Sequence, residues 1–216
     1  MPYSKLTDYI NVIEQQGELL RVKEFIDPVL QIAEITDRFS KQKDGGKALL
    51  FENTGTNFPV LINAFGSEKR MCLALGVKSL DEPAAEIDKL FKIITSPRSG
   101  FFDKLKLLPF LNRIASWMPS VKNGRGECQE IIIRNPDLSI FPVLQCWPYD
   151  GGRFITLPMV ITKDPLTGIR NTGMYRMQVI DQKTTGMHWH KHKTGARHFE
   201  EYKKIGKKMP VSVALG

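Results

Sequence analysis

Leu6, Tyr9, Ile10 and Ile13 recur at intervals of three and four and stop at Gly17, a spacing that predicts an amphipathic helix with a glycine stop. Asp27-Pro28 reads as the N-cap and first-turn proline of a second helix, with Val29, Ile32, Ala33 and Phe39 on one face and Gly45-Gly46 at its end. The apolar runs ALLF (48–51) and PVLINAF (59–65), bounded by turn residues, predict buried strands. Ser67 is placed to cap a helix through Leu75, and Asp81 to Phe91 predicts another. Residues 101–118 have helical spacing interrupted at Pro109, which predicts two short helices.

The polar stretch SVKNGRGE (120–127) breaks this pattern, and beyond it the apolar period falls to two. CQEIIIR, FPVLQCW, RFITLPMVITKD, GMYRMQVID and TGMHWHKH all read as strands, with DPLTG (164–168) as a hairpin turn. A helix over Ala196 to Ile205 and an apolar strand, PVSVALG, follow. A strand of that character needs a partner for its backbone groups, so the sequence reads as continuing past it. The whole is an α+β chain with a boundary near 120–127: an α/β domain over 1–120 and a strand-rich domain over 121–216.

A chain of 216 residues, 42% hydrophobic, can bury one sizeable core or two modest ones. It contains no run of roughly 18 uncharged apolar residues, and MPYSKLTDYI lacks the apolar centre of a secretory signal. A cytoplasmic protein with no transmembrane segment is expected. Cys72, Cys128 and Cys146 form no CxxC pair, and reduced, mostly buried thiols are expected. The net charge of +8 is concentrated: between Lys183 and Lys208 eight basic residues face only Glu200 and Glu201, a surplus of six. Such a patch suits a phosphate-bearing small molecule at least as well as a nucleic acid, whose binding sites interleave exposed aromatics with the cations. Lys203 to Lys208 also read simply as a solvated helix face.

All four histidines lie at positions 188, 190, 192 and 198. On a strand over 187–192, His188, His190 and His192 would share one face and Trp189 and Lys191 the other. Alternate histidines can line a metal site, zinc being the first choice, or can contact a cofactor, and spacing leaves both open. Counting by two places Asn171, Gly173 and Tyr175 on one face and Thr172, Met174 and Arg176 on the other. An arginine in an otherwise apolar strand needs a carboxylate or phosphate partner, which a structural ion pair or a ligand could supply. Gly173 would let another group approach the backbone. GxGxxG, Walker and GxSxG motifs are absent, which removes Rossmann dehydrogenases, P-loop hydrolases and the common serine hydrolases.

The segments NTGMYRMQ (171–178), MHWHKHKTGA (187–196) and PVSVALG (210–216) resemble the UbiD family of prenylated-flavin-dependent decarboxylases. GELLRVKEFIDPVLQIAEITDR, GGKALLFEN, PVLINAFGS, CWPYDGGRFIT and DPLTGIRN extend the resemblance over nearly the whole chain. It implies an N-terminal α/β domain followed by the first part of an FMN-binding split β-barrel of the flavin-reductase type. It implies prenylated FMN, supplied by a flavin prenyltransferase, with a divalent ion, typically manganese, and potassium as a further ion. Asn171 would give its amide oxygen to the divalent ion and His192 would stand beside it, an oxygen-rich arrangement that suits manganese or magnesium better than zinc. Met174, Tyr175, Arg176, His188, Trp189, His190, Lys193 and Thr194 match the segments that cradle the flavin. Arg176 matches the catalytic arginine that fixes the substrate carboxylate.

The implied reaction is non-oxidative decarboxylation of an aromatic or α,β-unsaturated acid. GRFITLP and MYRMQ point toward quinone precursors such as a 4-hydroxybenzoate, and a polyprenylated substrate would bring the protein to the membrane surface. Family members are about twice as long and carry the remaining metal-site glutamate, the acidic proton donor and the homo-oligomer contacts beyond the position of Gly216. The chain alone is therefore expected to be inactive, and a non-catalytic fragment that binds flavin or a partner subunit is the alternative.

Overall fold

The computed structural model describes residues 3–95, 112, 115, 118 and 120–215; apart from three isolated positions, the helices expected over 101–118 lie outside them. The chain divides into two compact units, Met1–Gly76 with Pro136–Gly216, and Val77–Asn135. The second contains α4 (Asp81–Thr95), four residues longer than the spacing predicts.

The first unit begins with α1 (Leu6–Gln15), β1 (Leu19–Phe25), α2 (Gln31–Ser40), β2 (Ala48–Asn53), β3 (Val60–Ile62) and α3 (Glu68–Leu75). β2 is central, pairing parallel with β1 and antiparallel with β3. Its alternation explains the buried ALLF run. Ala48 and Leu50 pack with Tyr9 and Ile13 of α1, whereas Leu49 and Phe51 pack with Ile32 of α2, so both faces are covered by helices. Ser67 caps α3 as expected, its hydroxyl accepting from the Arg70 N–H at 3.2 Å. The Arg70 side chain is fully buried, donating to Glu18 at 2.9 Å and to the Gly46 carbonyl at 2.7 Å.

One strand goes unpredicted and three expectations fail, each for an identifiable reason. β1 has no clear apolar run because its polar residues are used on the surface: Arg21 bridges Glu14 at 2.6 Å and Glu52 at 2.7 Å. α2 starts at Gln31 rather than at Pro28. The backbone from Pro28 to Leu30 is taken by Gln145, whose N–H donates to the Pro28 carbonyl at 3.2 Å and whose carbonyl accepts from the Leu30 N–H at 2.9 Å. FPVLQCW forms only that single bridge, because Pro142 and Pro148 bracket it and remove backbone donors. CQEIIIR, in the second unit, is not a strand: Ile131, Ile132 and Ile133 are exposed and no described strand pairs with them.

After Pro136 the first unit adds β4 (Phe154–Ile155), β5 (Met159–Lys163), β6 (Arg170–Met174), β7 (Met177–Val179), β8 (Thr185–Met187), α5 (Thr194–Lys204) and β9 (Ser212–Ala214). They form two open three-stranded sheets, β4-β7-β8 and β6-β5-β9, antiparallel throughout. The chain changes sheet three times, at Thr156–Pro158, at Tyr175-Arg176 and, through α5, between β8 and β9. The sheets do not close, as an incomplete barrel requires. The DPLTG hairpin forms as expected, Asp164 Oδ1 accepting from Leu166 N–H at 2.8 Å and Thr167 N–H at 3.1 Å. Among the described residues no helix is long and apolar enough to cross a membrane. Of the three free cysteines Cys72 is buried, Cys146 half-buried and Cys128 exposed, so the expectation of mostly buried thiols holds fully for one.

Candidate functional site

Arg176 sits where the chain passes from one sheet to the other. Its guanidinium lies 3.6 Å above the centre of the Phe154 ring, and its fork is filled by Asp150, through Nη1 to Oδ1 at 3.2 Å and a short contact between Nη2 and Oδ2. Hydrogen bonding from Arg176 holds the Asp150 carboxyl below its ordinary range, against the opposing effect of desolvation. The arginine thus has a carboxylate partner held bidentately and an aromatic plane beneath it, an arrangement a lysine could not make. Neighbouring Cys146 is pushed upward by burial while Arg176 pulls it down, so its thiol is not poised as a nucleophile.

The 187–192 strand does not form. β8 ends at Met187 and the chain turns at Lys191-His192 to enter α5, the Lys193 N–H donating to the His190 carbonyl at 2.9 Å. His188 remains tied to the site, its N–H donating to the Arg176 carbonyl at 3.0 Å. The exposed rings of His188 and His190 meet edge to face at 5.1 Å. His192 and Lys193 are exposed and Thr194 half-buried, while Met174, at the end of β6, is exposed. Among the described residues no three His, Cys, Asp or Glu side chains gather into a group sized for a metal, so the three alternate histidines build no zinc site.

Beneath this surface is a buried layer. Asn171, Gly173 and Tyr175 share a face as counted. The Tyr175 ring folds against Gly173, where a Cβ would stand 2.6 Å from a ring carbon, so the close-approaching group is the chain's own tyrosine. Trp189 packs edge-on to Tyr175 at 4.8 Å and lies over Gly195 in the first turn of α5. Tyr175 Oη accepts from the Gly195 N–H at 3.0 Å and from Asn171 Nδ2 at 3.3 Å. Asn171 Nδ2 also reaches Thr162 Oγ1 at 3.5 Å, and Thr162 meets Nδ1 of His198 at 2.9 Å. The Asn171 amide oxygen accepts no hydrogen bond from the described residues. An amide oxygen and an imidazole nitrogen are donor types that a manganese or magnesium ion can accept. Trp189 between the two exposed histidines is half-buried.

Asp150, Phe154, Thr162, Asp164 and His198 escaped sequence reasoning. Asp150 carried no signal of its own: it sits in a stretch that reads as a plain turn, and Asp164 lies nearer to Arg176 in sequence. His198 was visible as a histidine three residues after Gly195 on the inner face of α5. Lys203 and Lys204 are the solvated helix face expected, pairing with Glu200 at 4.0 Å and Glu201 at 2.7 Å.

Comparison with known proteins gives a consistent picture. Residues 10–90 match the 3-octaprenyl-4-hydroxybenzoate carboxy-lyase N-terminal domain, and residues 119–216 the 3-octaprenyl-4-hydroxybenzoate carboxy-lyase Rift-related domain. An uncharacterized protein of Archaeoglobus fulgidus is 48% identical over 218 residues, covering 100% of this chain and 44% of its own length. The chain spans less than half the length of the curated relatives it matches. Among solved structures, vanillic acid decarboxylase of Sedimentibacter hydroxybenzoicus in closed form is 26% identical with a TM-score of 0.75, over 99% of this chain and 43% of that one. An evolved dimeric form of the enzyme HmfF from Pelotomaculum thermopropionicum in complex with prFMN is 25% identical with a TM-score of 0.72, over 99% and 44%.

Proposed function

Because the chain belongs to the UbiD carboxy-lyase family, we propose that it is the Arg176-bearing part of an enzyme that decarboxylates an aromatic or α,β-unsaturated acid with prenylated FMN. The observation that carries this reading is the Arg176 fork, which already holds a carboxylate bidentately above an aromatic ring. A substrate carboxylate would take the place of Asp150, fixed in orientation by the same two N–H groups. Asn171 Oδ1 and His192 would hold a divalent ion, manganese by preference, with potassium as a further ion. Met174, Tyr175, Arg176, His188, Trp189, His190, Lys193 and Thr194 would line the flavin, and the surplus of positive charge would face its phosphate. When bound, the prenylated flavin supplies the electron sink for loss of carbon dioxide.

The reading supports a division of labour between residues 1–120, an α/β scaffold, and 121–216, the start of the flavin-binding barrel. It includes a flavin prenyltransferase as cofactor source, a homo-oligomer for the whole protein, and a cytoplasmic location that becomes membrane-peripheral for a polyprenylated substrate. A quinone precursor such as a 4-hydroxybenzoate is the first substrate to try; the remaining catalytic acids lie outside these 216 residues, so the chain alone turns over no acid. The test is carbon dioxide release from a hydroxybenzoate and from a cinnamate by the prenylated-FMN-loaded whole protein, with Arg176→Lys beside it. Turnover lost in Arg176→Lys is expected; undiminished turnover would remove Arg176 from the chemistry, and turnover by the 216-residue chain alone would refute its dependence on the rest.

A further inference from the structure

Thr162 and Asp164 are two apart at the end of β5 and project to one face, where both engage the imidazole of His198. Thr162 Oγ1 lies 2.9 Å from Nδ1, and Asp164 Oδ2 lies 3.9 Å from Nε2, an ion-pair distance. The other Asp164 oxygen is fixed by the hairpin, accepting from the Leu166 and Thr167 N–H groups. His198 is 2% exposed and Thr162 1% exposed, so neither can turn to bulk water for a partner. We infer that Asp164, His198 and Thr162 form a polar relay that sets which end of the Asn171 amide is left free, and that it leaves the oxygen.

A carboxylate beside Nε2 favours the tautomer that carries hydrogen there, which makes Nδ1 an acceptor. The Thr162 hydroxyl has a single proton and gives it to Nδ1, so toward Asn171 it can only accept. Asn171 must then direct its NH2 group inward, one hydrogen toward Thr162 at 3.5 Å and the other toward Tyr175 Oη at 3.3 Å. Tyr175 Oη, accepting from both Asn171 and the Gly195 N–H, supports the same orientation. With the opposite tautomer Nδ1–H would donate to Thr162, the hydroxyl proton would pass to Asn171, and the amide would present NH2 to the open side. A nitrogen with two positive hydrogens repels a cation that the oxygen attracts. His198 is therefore a positioning residue for the donor atom of Asn171, an inference that rests on the proposed reading of Asn171 as a metal ligand.

Two readouts on the folded protein separate the relay from that reading. Nitrogen-15 NMR of labelled histidine reports the His198 tautomer directly, with no metal present. Nε2–H is expected in the wild type. Asp164→Asn, whose amide oxygen can still accept the hairpin N–H groups while its NH2 faces Nε2, should switch His198 to Nδ1–H. Manganese alone, titrated by electron paramagnetic resonance, should bind about tenfold to a hundredfold more weakly to Asp164→Asn and to Thr162→Val, and not measurably to Asn171→Ala. Thr162→Val should retain the wild-type tautomer.

An Nδ1–H wild type, or a tautomer indifferent to Asp164→Asn, would overturn the relay. A switched tautomer with unchanged manganese affinity would overturn its link to Asn171. If the wild type binds no manganese while the tautomer behaves as expected, the metal role of Asn171 falls and the relay polarity stands.

Discussion

Replacing Gly195 with alanine sets two magnitudes against each other. Gly195 is the second residue of α5, where alanine should favour the helix by up to about 1 kcal/mol. An added Cβ, however, would stand 2.3 Å from Cζ3 and 2.9 Å from Cη2 of Trp189, and 3.0 Å from Tyr175 Oη. Forcing an extra carbon into such a contact costs about 1–3 kcal/mol. Displacing the indole also weakens its edge contact with Tyr175, worth about 0.5–1.5 kcal/mol. Central values leave a net loss of about 2 kcal/mol, which for a chain of this length lowers the melting temperature by about 4–8 °C. Thermal and urea unfolding followed by far-ultraviolet circular dichroism measure it, and the Trp189 indole N–H resonance reports whether the ring has moved. In a Trp189→Ala background the same substitution should cost much less, because the indole clash is gone and only the 3.0 Å approach to Tyr175 Oη still opposes helix propensity. A Gly195→Ala protein as stable as the parent, with an unmoved indole, would show that Trp189 does not lie against the first turn of α5.

Two further outcomes follow from paired charges. The Asp150 carboxyl is held low by Arg176, and a depressed carboxylate stabilises the fold above its unfolded value and loses that contribution as pH falls through its folded value. The pair should therefore be intact at neutral pH and open in acid; carboxyl carbon NMR should show Asp150 titrating higher in Arg176→Ala, and an unchanged midpoint would sever the pair. Glu18→Gln should destabilise the protein by about 3 kcal/mol in urea unfolding, because it weakens the carboxylate partner of a fully buried Arg70, and a loss below about 1 kcal/mol would contradict that role.

The parts legible in the sequence were those in which one local signal matched one local structure. Ser67, the Asp164 hairpin and the doubly buried ALLF strand each follow from residue types within a few positions. The parts that escaped are set by distant partners. The start of α2 is decided by Gln145, the fate of the histidine run by the need to enter α5 over Trp189, and the polarity of Asn171 by His198. Arg176 could be recognised as an arginine in need of an anion, yet nothing near it in sequence named Asp150. Family resemblance supplied cofactor roles for Asn171, Arg176 and His192, and the structure adds the neighbours that orient the first two.

The bridge between Gln145 and the Pro28–Leu30 segment also has a temporal side. Its partners are more than a hundred positions apart, and Leu144 beside it packs onto the apolar side of α2. Closing so long a loop adds little to the equilibrium cost, since each doubling of length costs only about 0.6 kcal/mol, but long-range closure is slow. On a ribosome adding about 5–20 residues each second, α2 must wait on the order of ten seconds for Leu144 and Gln145 to emerge. During that interval its outer apolar side is open to chaperones and to other nascent chains, whereas the β2–β3 hairpin is already complete.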